Sequence, residues 1–187
     1  MDLLVGGLDL AAKESRCSGY AVIKYSGSVA EVVAVKCLSS DDEIIDQVIR
    51  DGVKVLAVDA PLMSEPRMRD LDRELIRMGL RVFPPSFRWM RDLTLRAWRL
   101  REKLLDKGVE VIETHPRSVL RYAGVGGIDE LLTKLNVHSG FSGKLSGDVA
   151  DALVCALVSL CYVLGCSEKV SAADGTLYMI RSSGFMG

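Results

Sequence analysis

Two stretches constrain this chain more than any other. "KVLAVDAP" (54–61) and "VEVIETHP" (109–116) carry apolar, β-branched runs that end on an acid and soon meet a proline. A near-continuous apolar strand of this kind is buried on both faces, as in a parallel sheet covered by helices, whereas a half-solvated strand alternates. Each strand also ends with a carboxylate, Asp59 in one and Glu113 in the other, where the run leaves the core.

The segments around these runs limit the topology. "LLVGGLD" (3–9), "GYAVIKY" (19–25) and "VAEVVAVKC" (29–37) read as three strands, with "SGS" as a short hairpin turn, so they form an antiparallel meander. In "SDDEIIDQVIRDG", Ser40 or Asp41 serves as N-cap and Gly52 as the stop of a helix. A charged, mostly helical stretch covers about 66–107, broken at "FPPS" (83–86). Weaker helices follow near 117–123 and 128–135, then a loop, "NVHSGFSG" (136–143), and a strongly apolar helix over about 147–164. The tail, "GTLYMIRSSGFMG", offers a short strand. Right-handed crossovers then leave one simple solution: an α/β fold with a five-stranded mixed sheet, order 3-2-1-4-5, and helices on both faces.

The chain has 187 residues, and the expectation is one domain spanning 1–187. With a formal net charge of −1, total charge signals neither nucleic acid nor membrane. The most apolar run, "ALVCALVSLCYVLG" (152–165), is shorter than the ~20 residues that span a bilayer and reads as a buried helix, with no membrane partner. The opening "MDLLVGGLDL" lacks a basic leader region, so a cytoplasmic protein is expected. The five cysteines have no metal-ligand spacing and read as buried free thiols, with a Cys161–Cys166 disulfide as the alternative.

In the expected sheet, Asp9, Asp59 and Glu113 end three neighbouring parallel strands, ~4.8 Å apart. Ligands of open α/β sheets gather at that edge. "GDVADALV" adds Asp148 and Asp151, which share a helix face at i, i+3. Each acid has an ordinary explanation alone, as a cap or a turn residue. Together they make a repulsive cluster that hard cations would relieve, Mg²⁺ or Mn²⁺ rather than zinc. Two such ions activate water and stabilise the leaving oxygen of a phosphodiester.

The 66–107 crossover is rich in arginine, with Trp89, Trp98, Phe83 and Phe87 interleaved. One reading is a phosphate-binding surface with stacking groups. The other is an amphipathic pair with tryptophans in the core and arginines in water. Arg67 and Arg69 follow Asp59 closely enough to hold a substrate phosphate, with Asp72 orienting one of them, and Lys144 is a further phosphate contact. His115 is either a general base or a carbonyl cap, and His138 reads as exposed.

"GLDLA", "AVDAPL", the spaced Arg67, Arg69 and Asp72, "FPPS", "VIETHP" and "DVADAL" together resemble the predicted RNase-H-fold nucleases known as domain of unknown function 429, over about residues 5–165. "ETHPRSV" and "DVADALV" are more distantly similar to Holliday-junction resolvases, although Leu120 stands where those carry a lysine. The resemblance implies an RNase-H-like fold, catalytic and metal-binding acids at Asp9, Asp59, Asp148 and Asp151, DNA or RNA as partner, and room for a homodimer. The expectation is a nuclease with Asp9, Asp59, Glu113, Asp148 and Asp151 as its catalytic set. The alternative is a non-catalytic nucleic-acid-binding or scaffolding protein. An ATP-handling phosphotransferase needs a phosphate loop after the first aspartate, where this chain has Leu-Ala-Ala.

Overall fold

The computed structural model describes residues 2–140, 145 and 147–181. Strands β1 (Leu3–Asp9), β2 (Ser18–Tyr25) and β3 (Ala30–Leu38) form the antiparallel meander. Helix α1 (Asp41–Arg50) starts where Ser40 Oγ accepts a hydrogen bond from the Glu43 N–H at 3.1 Å, and the chain leaves it through Gly52 at φ +69°. Strand β4 (Val55–Asp59) leads through α2 (Asp70–Arg77) and α3 (Arg88–Leu105) to β5 (Glu110–Thr114). Then come α4 (Pro116–Ala123), α5 (Ile128–Lys134), β6 (Val137–Ser139), α6 (Gly147–Leu164), β7 (Ser167–Ala172) and β8 (Gly175–Ile180).

The order across the sheet is β6-β3-β2-β1-β4-β5-β8-β7, with the expected 3-2-1-4-5 at its centre and β1, β4 and β5 parallel. Among the described residues the expectation of five strands is corrected to eight. Strand β6 has only three residues, too short to show alternation, and joins β3 in the segment expected to be a loop. β7 and β8 form a hairpin that reaches β5 through the single register pair Glu113↔Leu177. "SEKVSA" has no apolar run because β7 is an edge strand, without a residue fully buried.

A core lies on each face. Alternate strand residues, among them Val5, Ala21, Val55, Ala57 and Ile112, meet α2, α4, α5 and α6, while Leu8, Tyr20, Leu56, Val58 and Val111 meet α1 and α3. Helix α6 has the length and composition to cross a membrane, yet residues 152–161 are buried, within the core that faces the sheet.

Two glycines set how close α6 comes. A Cβ at Gly7 would overlap the Ala152 carbonyl oxygen and the Ala156 nitrogen, and one at Gly19 would overlap the Asp148 carbonyl. The helix backbone therefore lies directly on β1 and β2. At this distance Ser159 Oγ accepts from the Ala57 N–H at 2.8 Å and donates to the Gly6 carbonyl at 2.7 Å, so one buried hydroxyl joins β1 and β4.

The cysteines depart from the free-thiol expectation. Cys17 pairs with Cys37 across the start of β2 and the end of β3, and Cys161 pairs with Cys166 where α6 turns into β7. Their Cα separations of 5.3 and 4.6 Å lie within disulfide reach. Cys155 is free and buried.

Because α6 has no room to yield at Gly7, Gly7→Ala is expected to cost about 2–3 kcal/mol. A urea-denaturation midpoint unchanged from wild type would show that the helix does not sit on this glycine.

Candidate functional site

Strand register brings the aspartates together. Gly7 pairs with Ala57, so two residues further on Asp9 and Asp59 emerge side by side on the face that carries α6. Resting on Gly7 and Gly19, α6 brings its first turn to the same place, with Asp148 and Asp151. All four aspartates line one cavity of about 650 Å³. Asp9 and Asp148 also border a second cavity of about 610 Å³, with Lys13 and Arg16 on its wall.

This grouping is electrostatically unfavourable. Burial, then the negative charges of Asp151 and Asp148, push the Asp9 carboxyl up to about 7. Burial raises Asp59 well above the usual carboxylate range, aided by Asp9, Asp151 and Glu113. Asp151 is raised by burial, with Asp148 adding to the shift. One cation, Arg117, opposes the rise at all three. Behind them on α6 the Cys155 thiol is raised by burial and then by the charges of Asp59, Asp9 and Asp151, and is inert as a nucleophile.

Glu113 is handled differently. It pairs in register with Val58, while Thr114 pairs with Asp59, so Thr114 rather than Glu113 shares Asp59's side of the pleat. The Glu113 carboxylate lies in a fork from Arg69, with NH1 to Oε2 at 2.8 Å and NH2 to Oε1 at 2.6 Å, and accepts from the Leu62 N–H at 2.8 Å. Asp72 grips the same guanidinium from the other side, at 2.8 Å from NH2 and 3.1 Å from Nε. Burial alone would lower the Arg69 pKa, but hydrogen bonds and charge from Glu113 and Asp72 outweigh it and raise it. Arg69 is thus enclosed by the fold, its guanidinium committed to two carboxylates. Arg67 is exposed, 3.6 Å from Glu65, and does not line the cavity. Lys144 lies outside the described residues.

The arginine crossover divides in a way its composition does not show. Arg96 of α3 is buried and donates to Asp41, the Ala11 carbonyl and the Ser39 carbonyl at 2.6–2.7 Å, tying α3 to the loop that follows Asp9. Trp89 and Phe83, by contrast, are exposed at the cavity wall. Arg81, Arg117 and Arg121 line the cavity and were not singled out from the sequence. Arg117 had a readable signal, since it directly follows "ETHP" and so falls in the first turn of the next helix. His115 Nδ1 is 2.7 Å from Ser118 Oγ, and burial followed by the Arg117 charge lowers its pKa to about 4, so the ring is neutral near pH 7. His138 is exposed on β6.

Among the described residues no group of three or more His, Cys, Asp or Glu side chains is arranged as a ready metal cage. The donor chemistry nevertheless fits a hard cation. Mg²⁺ keeps several waters and binds through one or two carboxylates plus substrate phosphates rather than an all-protein cage. Asp9 and Asp59, whose anionic forms are disfavoured by burial and by other acids, are suitable oxygen donors.

No protein-family model matches the chain and no curated protein matches it. Among solved structures it is similar to T. thermophilus RuvC in complex with a Holliday junction substrate, with TM-score 0.59 and 14% identity, over 87% of this chain and 97% of that one. The fold is RNase-H-like. At this identity the likeness concerns the fold, and the sequence resemblance to domain of unknown function 429 gains no support from a family model.

With a native pKa near 7 against 3.8 for the free group, Asp9 binds a proton in the folded state that the unfolded state has lost. Its contribution therefore lowers stability as pH rises from about 4 to about 7, then levels off. In chelator, Asp9→Asn is expected to raise the melting temperature at pH 8 and to change it little at pH 5; equal effects at both pH values would contradict the raised pKa. Separately, Arg69→Met leaves Glu113 and Asp72 buried without their partner and is expected to cost about 3–5 kcal/mol in chemical denaturation.

Proposed function

We propose that this protein is a divalent-metal-dependent nuclease that hydrolyses phosphodiester bonds of nucleic acid. The observation that carries the reading is the convergence of Asp9, Asp59, Asp148 and Asp151, from two strands and one helix, on one cavity where burial and nearby acids disfavour the charge of Asp9, Asp59 and Asp151. These four would hold Mg²⁺ or Mn²⁺. When bound, two such ions supply charge neutralisation, an acidified water as nucleophile and stabilisation of the leaving oxygen.

The chain's own residues do the rest. Arg117, exposed beside the acids, attracts the phosphate and orients its non-bridging oxygens. Glu113, fixed by Arg69, holds the Leu62 N–H and so sets the path of the backbone just after Asp59. In this reading Glu113 and Arg69 are positioning residues. Neutral His115, anchored on Ser118, places Arg117 at the start of α4. Arg67, exposed outside the cavity lining, is a further phosphate contact in this reading. The junction DNA bound by the similar T. thermophilus RuvC supports nucleic acid as the partner class.

A second reading rests on the exposed arginines of the cavity wall, Arg81, Arg117 and Arg121, which suit phosphate binding with or without a metal. In it the chain binds nucleic acid without cutting it.

The test is cleavage of labelled DNA and RNA with Mg²⁺ or Mn²⁺, alongside calorimetry of metal binding. Asp9→Asn and Asp59→Asn are each expected to lower the rate at least roughly 100-fold. Wild-type activity in Asp9→Asn refutes the assignment. Salt-dependent DNA binding with no metal uptake and no cleavage establishes the second reading.

A further inference from the structure

The cavity has a feature that phosphodiester hydrolysis does not require. Phe83 and Trp89 stand on its wall with 54% and 52% of their surfaces in water. Their rings meet edge to face, centroids 5.1 Å apart at 68°. Between them, Pro84 and Pro85 fix the backbone, and the Phe87 N–H closes a turn on the Pro84 carbonyl at 3.1 Å. Two large rings, Phe83 on the proline-stiffened loop and Trp89 in the first turn of α3, are therefore held in water rather than folded into either core.

The surrounding charge indicates what covers them. Arg81, two residues before Phe83, lines the same cavity. Arg117 and Arg121, one helical turn apart on α4, line it too. All three are exposed, and among the described residues none has an ion pair or a side-chain hydrogen bond within the protein. Aromatic faces beside free guanidinium groups match a nucleobase flanked by phosphates, since every base has a π-face and stacking needs no particular sequence. An apolar protein partner would bury Arg81 and Arg121, which have no ion pair among the described residues. A cavity of about 650 Å³ is of the size that takes a drug-sized molecule, comparable to a single nucleotide. A base inside a duplex has both faces covered by its neighbours and cannot offer one to Trp89.

We infer that the substrate is an unpaired strand: one nucleobase packs on the Phe83–Trp89 lip, its flanking phosphates lie along Arg81, Arg117 and Arg121, and the next phosphodiester meets the aspartates. This inference rests on the nuclease reading of the same cavity and adds the substrate class. Beyond Asp9 and Asp148 the second cavity, with Lys13 and Arg16, continues the basic path for the strand on the far side of the acids.

Binding is measured with Ca²⁺ in place of Mg²⁺, using a labelled single-stranded DNA oligonucleotide and a blunt duplex of the same sequence. The single strand is expected to bind about 10-fold tighter or more, and Trp89→Ala to lose about 10-fold of that affinity while leaving duplex affinity unchanged. Trp98→Phe leaves Trp89 as the only tryptophan, and its emission is expected to be quenched by the single strand and not by the duplex. Equal affinity for the duplex, or wild-type single-strand affinity in Trp89→Ala, overturns the inference. The two readings fail separately. Trp89-dependent single-strand binding without cleavage in any metal keeps this inference and removes the nuclease, whereas cleavage indifferent to Trp89 and to strandedness does the reverse.

Discussion

The close seating of α6 on Gly7 and Gly19 is the contact on which the site depends. A helix standing at ordinary side-chain distance from the sheet, interaxial spacings of 8–10 Å being usual even between helices, would hold Asp148 and Asp151 away from Asp9. With hydrogen in place of two side chains, the helix backbone rests on the strands, its first turn overlies the end of β1, and Ser159 reaches the Gly6 carbonyl and the Ala57 N–H. The same contact fills one core with "ALVCALVSLC" and places two carboxylates at its rim. Packing and charge are thus set by one helix position, and neither can change without the other.

The protein treats its two acidic groups in opposite ways. Glu113 and Asp72 are buried, and a single guanidinium is hydrogen-bonded to both. That arrangement satisfies the lone pairs that burial would otherwise leave unmatched. Among the described residues, Asp9, Asp59 and Asp151 receive the opposing charge of exposed Arg117 alone. A fold that can enclose an arginine between two acids has not done so here. The difference separates acids that complete the structure from acids that meet something from outside.

The central sheet was legible because parallel strands buried on both faces need apolar side chains at every position, and "KVLAVDAP" shows that directly. The helix boundaries near Ser40, Gly52 and the "FPPS" break were legible for similarly local reasons. Glu113 shows where such reading stops. It ends a strand as Asp59 does, but a register offset of one residue turns it from Asp59's side, and no sequence position reports register between strands separated by a long crossover. Arg69 read as substrate-facing because it follows Asp59 closely, and Arg96 fell among the crossover arginines read as solvated or phosphate-binding; three-dimensional proximity to Glu113 and Asp41 buries them. Trp89, which composition left open between a core and a stacking residue, is exposed. Of the outer strands, β6 escaped notice because it is short and β7 because it is polar, whereas β8 falls in the tail segment expected to form a strand.

The β7–β8 hairpin has a consequence for synthesis of the chain. Its turn residue Asp174 accepts from the Asp70 and Leu71 N–H groups at 2.9 and 3.2 Å, capping the helix that begins next to Arg69, and the Tyr178 carbonyl accepts from Thr114 Oγ1 at 2.9 Å. A nascent polypeptide extended only through Leu164 would already contain every aspartate of the cavity, yet its α2 cap and the outer flank of β5 would still await residues inside the ribosome. Vectorial translation therefore separates the making of the acids from the closing of the wall beside them.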